Sequence, residues 1–239
     1  MSFEITDRVS PGTSARITGG LYLAFIVVSV LADALGHIGL GSAQQIYGSM
    51  TTDLGSFRLG LVAAFASAFL FLMAAWGLYV LLRPVNHELA LLFLVLNGVG
   101  VAVQCASLLQ LVAAMSVATD PQLLPGASAA TLALASITTY RTGFVAAQLF
   151  YGTWLFPLGC LVLKSRFLPR ALGILLFLDG IGEMVWFVQG FLLPAYPAIT
   201  VPGTAVSLLA EVGLALWLVI RGVRTGAPAT RRVPEASRP

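Results

Sequence analysis

The chain has 239 residues, of which 58% are hydrophobic and only 10% are charged. Soluble domains usually have about a quarter of their residues charged, so this composition excludes a soluble globular protein and predicts an integral membrane protein. The formal net charge is +3. We do not expect nucleic acid as a partner, because the anionic headgroups of membrane lipids account for the basic residues.

Six apolar segments reach the length of roughly 20 residues that a helix needs to cross a bilayer. The connections at 83–88 and 164–169 are short, which is typical of antiparallel helical hairpins. The sequence therefore predicts an all-α fold, an integral membrane six-helix bundle built from three hairpins. The predicted spans are about 17–39, 59–82, 89–118, 142–163, 171–193 and 201–220.

The basic residues predict the orientation of these spans. With the N-terminus inside, eleven of the 13 basic side chains lie on the cytoplasmic side, so the positive-inside rule places both termini in the cytoplasm and the protein in the inner (plasma) membrane. The spans form one domain over 15–222, and the polar ends at 1–14 and 223–239 are predicted to be disordered tails, the second one basic. A cleaved signal ending near Ala34 is disfavoured, because the apolar segment continues past that site.

The two exceptional basic residues are Arg58 and Arg141, which face the outer side. They occupy equivalent places in an internal repeat, since 57–64 aligns with 140–147. One interpretation is a pair of guanidinium groups that hold a carboxylate or phosphate of a ligand. The other is structural: the arginines pair with Asp33 and Glu183, or reach the phosphates of outer lipids.

The longer outer connections, between spans one and two and between spans three and four, also contain helix-like stretches. One of them is 126–139. We expect such a stretch to form an interfacial helix that lies on the bundle.

Several short phrases are specific enough to indicate a family. They are Phe57-Arg58-x-Gly60, Leu81-Leu82-Arg83-Pro84-Val85-Asn86, Phe156-Pro157-Leu158-Gly159, and Leu168-Pro169-Arg170-x-Leu172-Gly173. With these phrases the chain resembles the DUF4386 family of bacterial multi-pass membrane proteins from about 15 to 222. The resemblance implies six spans and supplies no activity. Asp179 and Glu183 depart from the pattern, because mostly apolar or aromatic residues are expected in that stretch.

Four carboxylic acids lie inside predicted spans. Each aspartate at a helix centre costs about 2.5–3.5 kcal/mol when it faces lipid, so these acids are expected to face the interior, to pair or to be protonated. Spacings of four residues place Asp179 with Glu183, and Asp33 with His37, on shared helix faces. Gln104 and Gln148 extend this polar surface. The predicted ligand-binding or proton site is Asp33, His37, Arg58, Gln104, Arg141, Gln148, Asp179, Glu183 and Glu211.

Motifs of known catalytic sites are missing from the sequence. It has no Gly-x-Ser-x-Gly, no His-Glu-x-x-His and no phosphate-binding glycine loop. We expect no cofactor, no metal and no catalytic residue. The expected partners are membrane lipids and a small-molecule ligand, and the sequence sets no oligomeric state.

Three functions remain open at this point. The first is the binding or transport of a small ligand through an outward-facing polar cavity, lined by buried carboxylates and the two outer arginines. The second is a structural or regulatory membrane protein whose buried polar residues fix helix packing, and the third is a membrane-embedded enzyme.

Overall fold

The computed structural model describes residues 10–120 and 128–223. Seven α-helices lie in these ranges, and six of them have the length and apolar composition of membrane spans. The prediction of an all-α six-span bundle is confirmed. The helices are α1 (Pro11–Gly36), α2 (Ala43–Thr52), α3 (Leu54–Leu82), α4 (His87–Thr119), α5 (Ala129–Lys164), α6 (Arg170–Leu192) and α7 (Val201–Ile220), with a 3₁₀ turn at Pro197–Thr200 before α7.

The six spans form a closed ring. Each span packs against the next one along the chain, from α1 and α3 through α4, α5 and α6 to α7, and α7 packs back against α1. Because the spans are antiparallel and even in number, both ends of the chain reach the same end of the bundle. Gly222 lies there beside Gly12: a Cβ on Gly222 would lie 3.4 Å from the carbonyl oxygen of Gly12. We call this the termini end, and the opposite end, which carries the short helix α2, the α2 end.

Two hydrophobic cores fill different parts of the ring. The first lies toward the termini end and receives fully buried side chains from all six spans, Trp154, Leu158 and Leu214 among them. The second lies toward the α2 end and receives side chains from α1 to α5, such as Ile46 and Leu108, but none from α6 or α7. The outer surface carries many exposed apolar side chains, as expected where spans face lipid tails.

Polar caps set the beginnings of the helices at the α2 end. Ser42 and Gln45 form a capping box at the start of α2. At the start of α3, the Asp53 carboxylate accepts hydrogen bonds from the Ser56 hydroxyl at 2.7 Å and from the Ser56 backbone N–H at 3.0 Å. Both bonds favour the ionised carboxylate, so they lower the pKa of Asp53 below its usual value.

The outer connections are only partly as expected. The first contains the separate helix α2. In the second, residues 129–139 are not an interfacial helix, because α5 runs without a break from Ala129 to Lys164 and therefore extends the fourth span. The remaining part, 126–127, lies outside the described residues. The same holds for most of the two predicted tails, and α1 already begins at Pro11, before the predicted domain boundary at residue 15.

The internal repeat corresponds to one packing arrangement used twice. Phe57 and Tyr140 are both buried, and the glycine three residues later packs against the preceding span of its hairpin. A Cβ on Gly60 would lie 3.2 Å from the Ala32 carbonyl oxygen, and a Cβ on Gly143 would clash with the Ser107 side chain. The repeat therefore records the close approach of two helices in each hairpin.

Candidate functional site

A cavity of about 500 Å³ lies between the spans in the half of the bundle toward the α2 end. All six spans contribute to its wall, together with the loop that follows α1. Its volume falls within the range of small-molecule sites, roughly 300–1,000 Å³. The wall is largely apolar and aromatic, with a small number of polar side chains, which is the usual composition of such sites. The aromatic wall residues are Phe25, Phe71, Tyr140, Phe144, Tyr151, Trp154 and Trp186.

Two helices bring three acids together near the middle of the bundle. Glu183 on α6 and Glu211 on α7 line the cavity, and both lie within electrostatic range of Asp179 on α6. Asp179 is fully buried, and neither of its carboxyl oxygens has a hydrogen-bond partner; the same holds for Oε2 of Glu183. The Ser207 hydroxyl of α7 lies beside Asp179 and Glu183. We call Asp179, Glu183 and Glu211 the acid triad.

Close helix packing brings these two helices together. A Cβ on Gly182 would lie 2.8 Å from the Cα of Gly203, so the backbones of α6 and α7 are in contact one residue before Glu183. On the other side of α6, a Cβ on Gly152 would lie 3.0 Å from the Gly180 carbonyl oxygen. Because these contacts involve backbone atoms, they fix the depth of Glu183 relative to Ser207 and Glu211.

Tyr22 adds a hydroxyl to the acid triad from α1. The side chain is fully buried, its hydroxyl faces Glu211, and the oxygen has no hydrogen-bond partner within bonding geometry. An unpaired buried hydroxyl is unfavourable in an apolar interior. The polar groups at this depth therefore do not satisfy all of their hydrogen bonds with one another.

The opposite wall carries a hydrogen bond between two spans. The Tyr151 hydroxyl on α5 donates to Oε1 of Gln104 on α4 at 2.5 Å, and both residues line the cavity. Gln148 lies one turn from Tyr151 on α5 and is also buried in the cavity wall. The predicted polar surface of Gln104 and Gln148 is thus part of the cavity.

Asp33 and His37 lie where α1 ends. Oδ1 of Asp33 accepts a hydrogen bond from the Leu40 backbone N–H at 3.2 Å, and Asp33 also lines the cavity. His37 caps α1 with a left-handed backbone, φ 54°, and its N–H donates to the Asp33 carbonyl oxygen. His37 is not among the residues that line the cavity. Both residues shape the loop at the end of α1, and only Asp33 reaches the interior.

Arg58 and Arg141 lie on the outside of the bundle. Both side chains are exposed, and neither is in the cavity wall. Within the described ranges, neither guanidinium forms an ion pair, so the pairing with Asp33 and Glu183 is not found. The two arginines therefore lie at the surface, apart from the wall of this cavity.

The structure thus brings together five of the nine predicted site residues in one wall, namely Asp33, Gln104, Gln148, Glu183 and Glu211. Asp179 lies directly behind the wall, and His37, Arg58 and Arg141 lie apart from it. Three tyrosines were missed by the sequence reasoning: Tyr22, Tyr140 and Tyr151. A tyrosine inside an apolar span is a usable signal, since its hydroxyl needs a polar neighbour when it is buried.

The acid triad does not have the arrangement of a metal centre. Over residues 10–120 and 128–223, no group of three or more His, Cys, Asp or Glu side chains is placed to hold a metal ion. What the triad offers chemically is negative charge or exchangeable protons at the base of an apolar cavity.

The fold and cavity define a multi-pass α-helical membrane protein. Residues 17–222 match the family described as "Domain of unknown function (DUF4386)", and the chain belongs to this family. It is 28% identical over 167 residues to an uncharacterised protein of Archaeoglobus fulgidus, an alignment that covers 68% of this chain and 83% of that protein. Since this relative is archaeal, the likeness extends beyond bacteria. No solved structure matches the chain.

Proposed function

We propose that this protein binds a small molecule in the cavity between its six spans, with the acid triad as the proton or cation site. The observation that carries the proposal is the cavity itself, because it joins an apolar wall to polar groups from α1, α4, α5, α6 and α7. In soluble and membrane proteins alike, a concave apolar site with a few convergent polar groups is the usual form of a ligand site.

The proposal also includes the setting in the cell. Five arginines and one lysine at the termini end lie next to the ends of the spans, whereas the α2 end carries Arg58 and Arg141. By the positive-inside rule the termini end faces the cytoplasm of a plasma membrane. The cavity then lies in the outer half of the bilayer. A molecule bound there enters from the outer side of the membrane or is released to that side.

Native mass spectrometry of the detergent-purified protein tests this function. The variant Ser207→Phe places a ring in the cavity wall, and Leu208→Phe is its matched control, because Leu208 is the next residue and is 61% exposed. We expect the wild type and Leu208→Phe to carry a discrete co-purified species that Ser207→Phe has lost. Thermal melting of all three proteins checks that they are folded. A species retained at equal occupancy in folded Ser207→Phe contradicts the proposal.

A structural role is the second candidate, and one contact favours it. The hydrogen bond from Tyr151 to Gln104 joins α4 to α5, and such bonds between spans fix how helices pack. In the same experiment, a folded wild type that carries nothing beyond bulk lipid supports this candidate. The unpartnered oxygens of Asp179 argue against it, since a packing role predicts that buried polar groups bond to one another.

A further inference from the structure

We propose that the cavity binds an amphipathic organic cation, with an ammonium or phosphonium head and an apolar body, which it takes up from the bilayer. This inference rests on the proposed function, since it names the class of molecule that occupies the same site. Four observations lead to it: the sign of the charges, the aromatic wall, the unsatisfied acids and the position of the mouth.

The ionisable groups of the wall are all of one sign. Asp33, Glu183 and Glu211 line the cavity, and the wall as described contains no lysine, arginine or histidine. Tyr22 on α1 and Ser207 on α7 are the further polar groups that face the acid triad, whose third member, Asp179 on α6, lies behind the wall. Because Arg58 and Arg141 lie outside the cavity, no group in the wall would balance an anionic ligand. These charges favour a cation over the carboxylate or phosphate that was one interpretation of the two arginines.

Aromatic rings lie beside the acid triad, since Tyr151 is within electrostatic range of Glu183 and Glu211. Phe71 lies at the centre of a ring cluster: its centroid is 4.4 Å from that of Phe25, 5.3 Å from that of Tyr151 and 5.3 Å from that of Trp154. All four rings line the cavity. Cations are attracted to the faces of aromatic rings, most strongly to tryptophan, and aromatic side chains are the groups that recognise quaternary ammonium ions. A carboxylate beside the rings adds a direct charge partner.

Two of the three acids have carboxyl oxygens that no protein group hydrogen-bonds. Asp179 is fully buried with two unpaired oxygens, and Glu183 has one. Burying a carboxylate without compensation is strongly unfavourable in a membrane interior. A cationic head next to Glu183 and Glu211 supplies the compensation that the described part of the chain lacks.

Two residues of the wall are exposed, and we infer from them where the cavity reaches the surface. Val30 on α1 is 63% exposed and Leu40 in the loop after α1 is 67% exposed. Toward the termini end the cavity is closed by the first hydrophobic core. Both mouth residues are apolar and lie at the lipid-facing surface near the end of a span. An amphipathic cation concentrates at that depth, since its charged head stays near the polar interface while its body enters the hydrocarbon.

Two ions of nearly the same shape test the charge class. Tetraphenylphosphonium and tetraphenylborate differ mainly in the sign of the charge, and benzyltriethylammonium serves as a smaller cation. Equilibrium binding of each is measured to the detergent-purified wild type, with protein-free micelles as background. We expect at least one cation to bind with a Kd below about 1 mM and tetraphenylborate to bind at least about tenfold more weakly. This comparison needs only the wild-type protein.

Three variants locate the binding. In Glu183→Gln and Glu211→Gln we expect cation affinity to fall by about tenfold or more, because each removes one carboxylate from the triad. Glu88→Gln is the matched control, since Glu88 is exposed in the first turn of α4 at the termini end, and we expect its affinity to equal the wild type's. Melting temperatures of all variants are measured alongside.

Several outcomes overturn the inference. They are binding of both cations weaker than about 1 mM, tighter binding of tetraphenylborate, or equal cation affinity in the wild type and the folded triad variants. If neither cation binds but native mass spectrometry finds a species that is lost in Ser207→Phe, the cavity is a binding site and only the inference that its ligand is a cation is wrong. When both measurements fail, the proposed function fails as well.

Discussion

The termini end and the α2 end of the bundle differ in which helices supply their cores. At the termini end all six spans contribute buried side chains. At the α2 end the core comes from α1 to α5 only, and beyond Gly180 the sole buried residue of α6 is Gln189, while α7 has none before Ala210. The α6–α7 hairpin therefore contributes side chains to a hydrophobic core at one end only.

This difference explains where the cavity lies. A ring of six spans that is fully packed at both ends has no interior space, whereas here the second core fills only the side made by α1 to α5. The space left beside α6 and α7 is the cavity, and the acid triad lies near the level beyond which this hairpin adds no side chain to either core. The difference indicates that the α2 end of the α6–α7 hairpin is the part of the bundle most easily displaced.

The largest loss of stability is expected when a side chain of the first core is shortened. Leu158→Ala removes a fully buried side chain from this core and leaves a void, so we expect a loss of about 2–5 kcal/mol in the free energy of unfolding. The matched variant is Leu209→Ala, since Leu209 is 64% exposed on the α2-end half of α7. For it we expect a change within about 0.5 kcal/mol. Thermal or denaturant unfolding in detergent measures both, and equal losses would remove the contrast between the two ends.

Much of this architecture was readable from the sequence. The six spans follow from hydropathy and length, because every backbone group of a lipid-exposed segment must be satisfied within a helix. The helix at the start of α5 was expected, but not that it continues the fourth span, because alanine, serine and threonine dilute Leu132, Leu134 and Ile137 there. The family phrases added confirmation of the spans and nothing about the site, as the family has no described function.

The position of Arg58 and Arg141 outside the cavity wall has a geometric cause. The sequence gives the depth of a residue along its span, because residues can be counted from the end of the helix. It does not directly give the direction in which the side chain points around the helix axis, and the two arginines were assigned to the site from their depth alone. In Arg-x-Gly, the arginine and the glycine are two residues apart and thus about 200° apart around the helix. Because Gly60 and Gly143 face the preceding span, the arginines face outward. The glycines of the same repeat could have shown this orientation, because a glycine conserved in both copies of the repeat marks the helix face that packs against the neighbouring span.

An intermediate effect is expected at the backbone contact between α6 and α7. Gly182→Ala puts a Cβ 2.8 Å from the Cα of Gly203, and since backbone cannot rotate aside, the two helices must separate at a cost of about 1–3 kcal/mol. Gly20→Ala is the control, because nothing lies within 4 Å of a Cβ there. It should raise stability by roughly 0.5–1 kcal/mol, as alanine does in a helix interior.

The same pair of variants links the hairpin to the site. Separation at Gly182 moves Glu183 away from Ser207 and Glu211, so we expect weaker binding of tetraphenylphosphonium in Gly182→Ala and unchanged binding in Gly20→Ala. Melting temperature and cation binding are measured on the same preparations. Unchanged stability and binding in Gly182→Ala would show that side chains beyond this contact, rather than backbone packing, hold the α2 end of the hairpin.

The smallest effect is expected at the cap of α3, on the packed side of the α2 end. Asp53→Ala removes the carboxylate that accepts from Ser56, and Asp53→Asn, which keeps an acceptor oxygen, is the matched variant. Because the native pKa of Asp53 lies below its unfolded value, about 3.9, the stabilisation is fully present above that pH and is lost as pH falls through the native pKa. Melting temperatures at pH 7 should therefore rank wild type above Asp53→Ala, and the gap should narrow as the pH falls below about 4. A gap that stays constant down to that range would mean that ionisation of Asp53 does not matter for the start of α3, and the absence of any gap would mean that the second core alone orders this side of the α2 end.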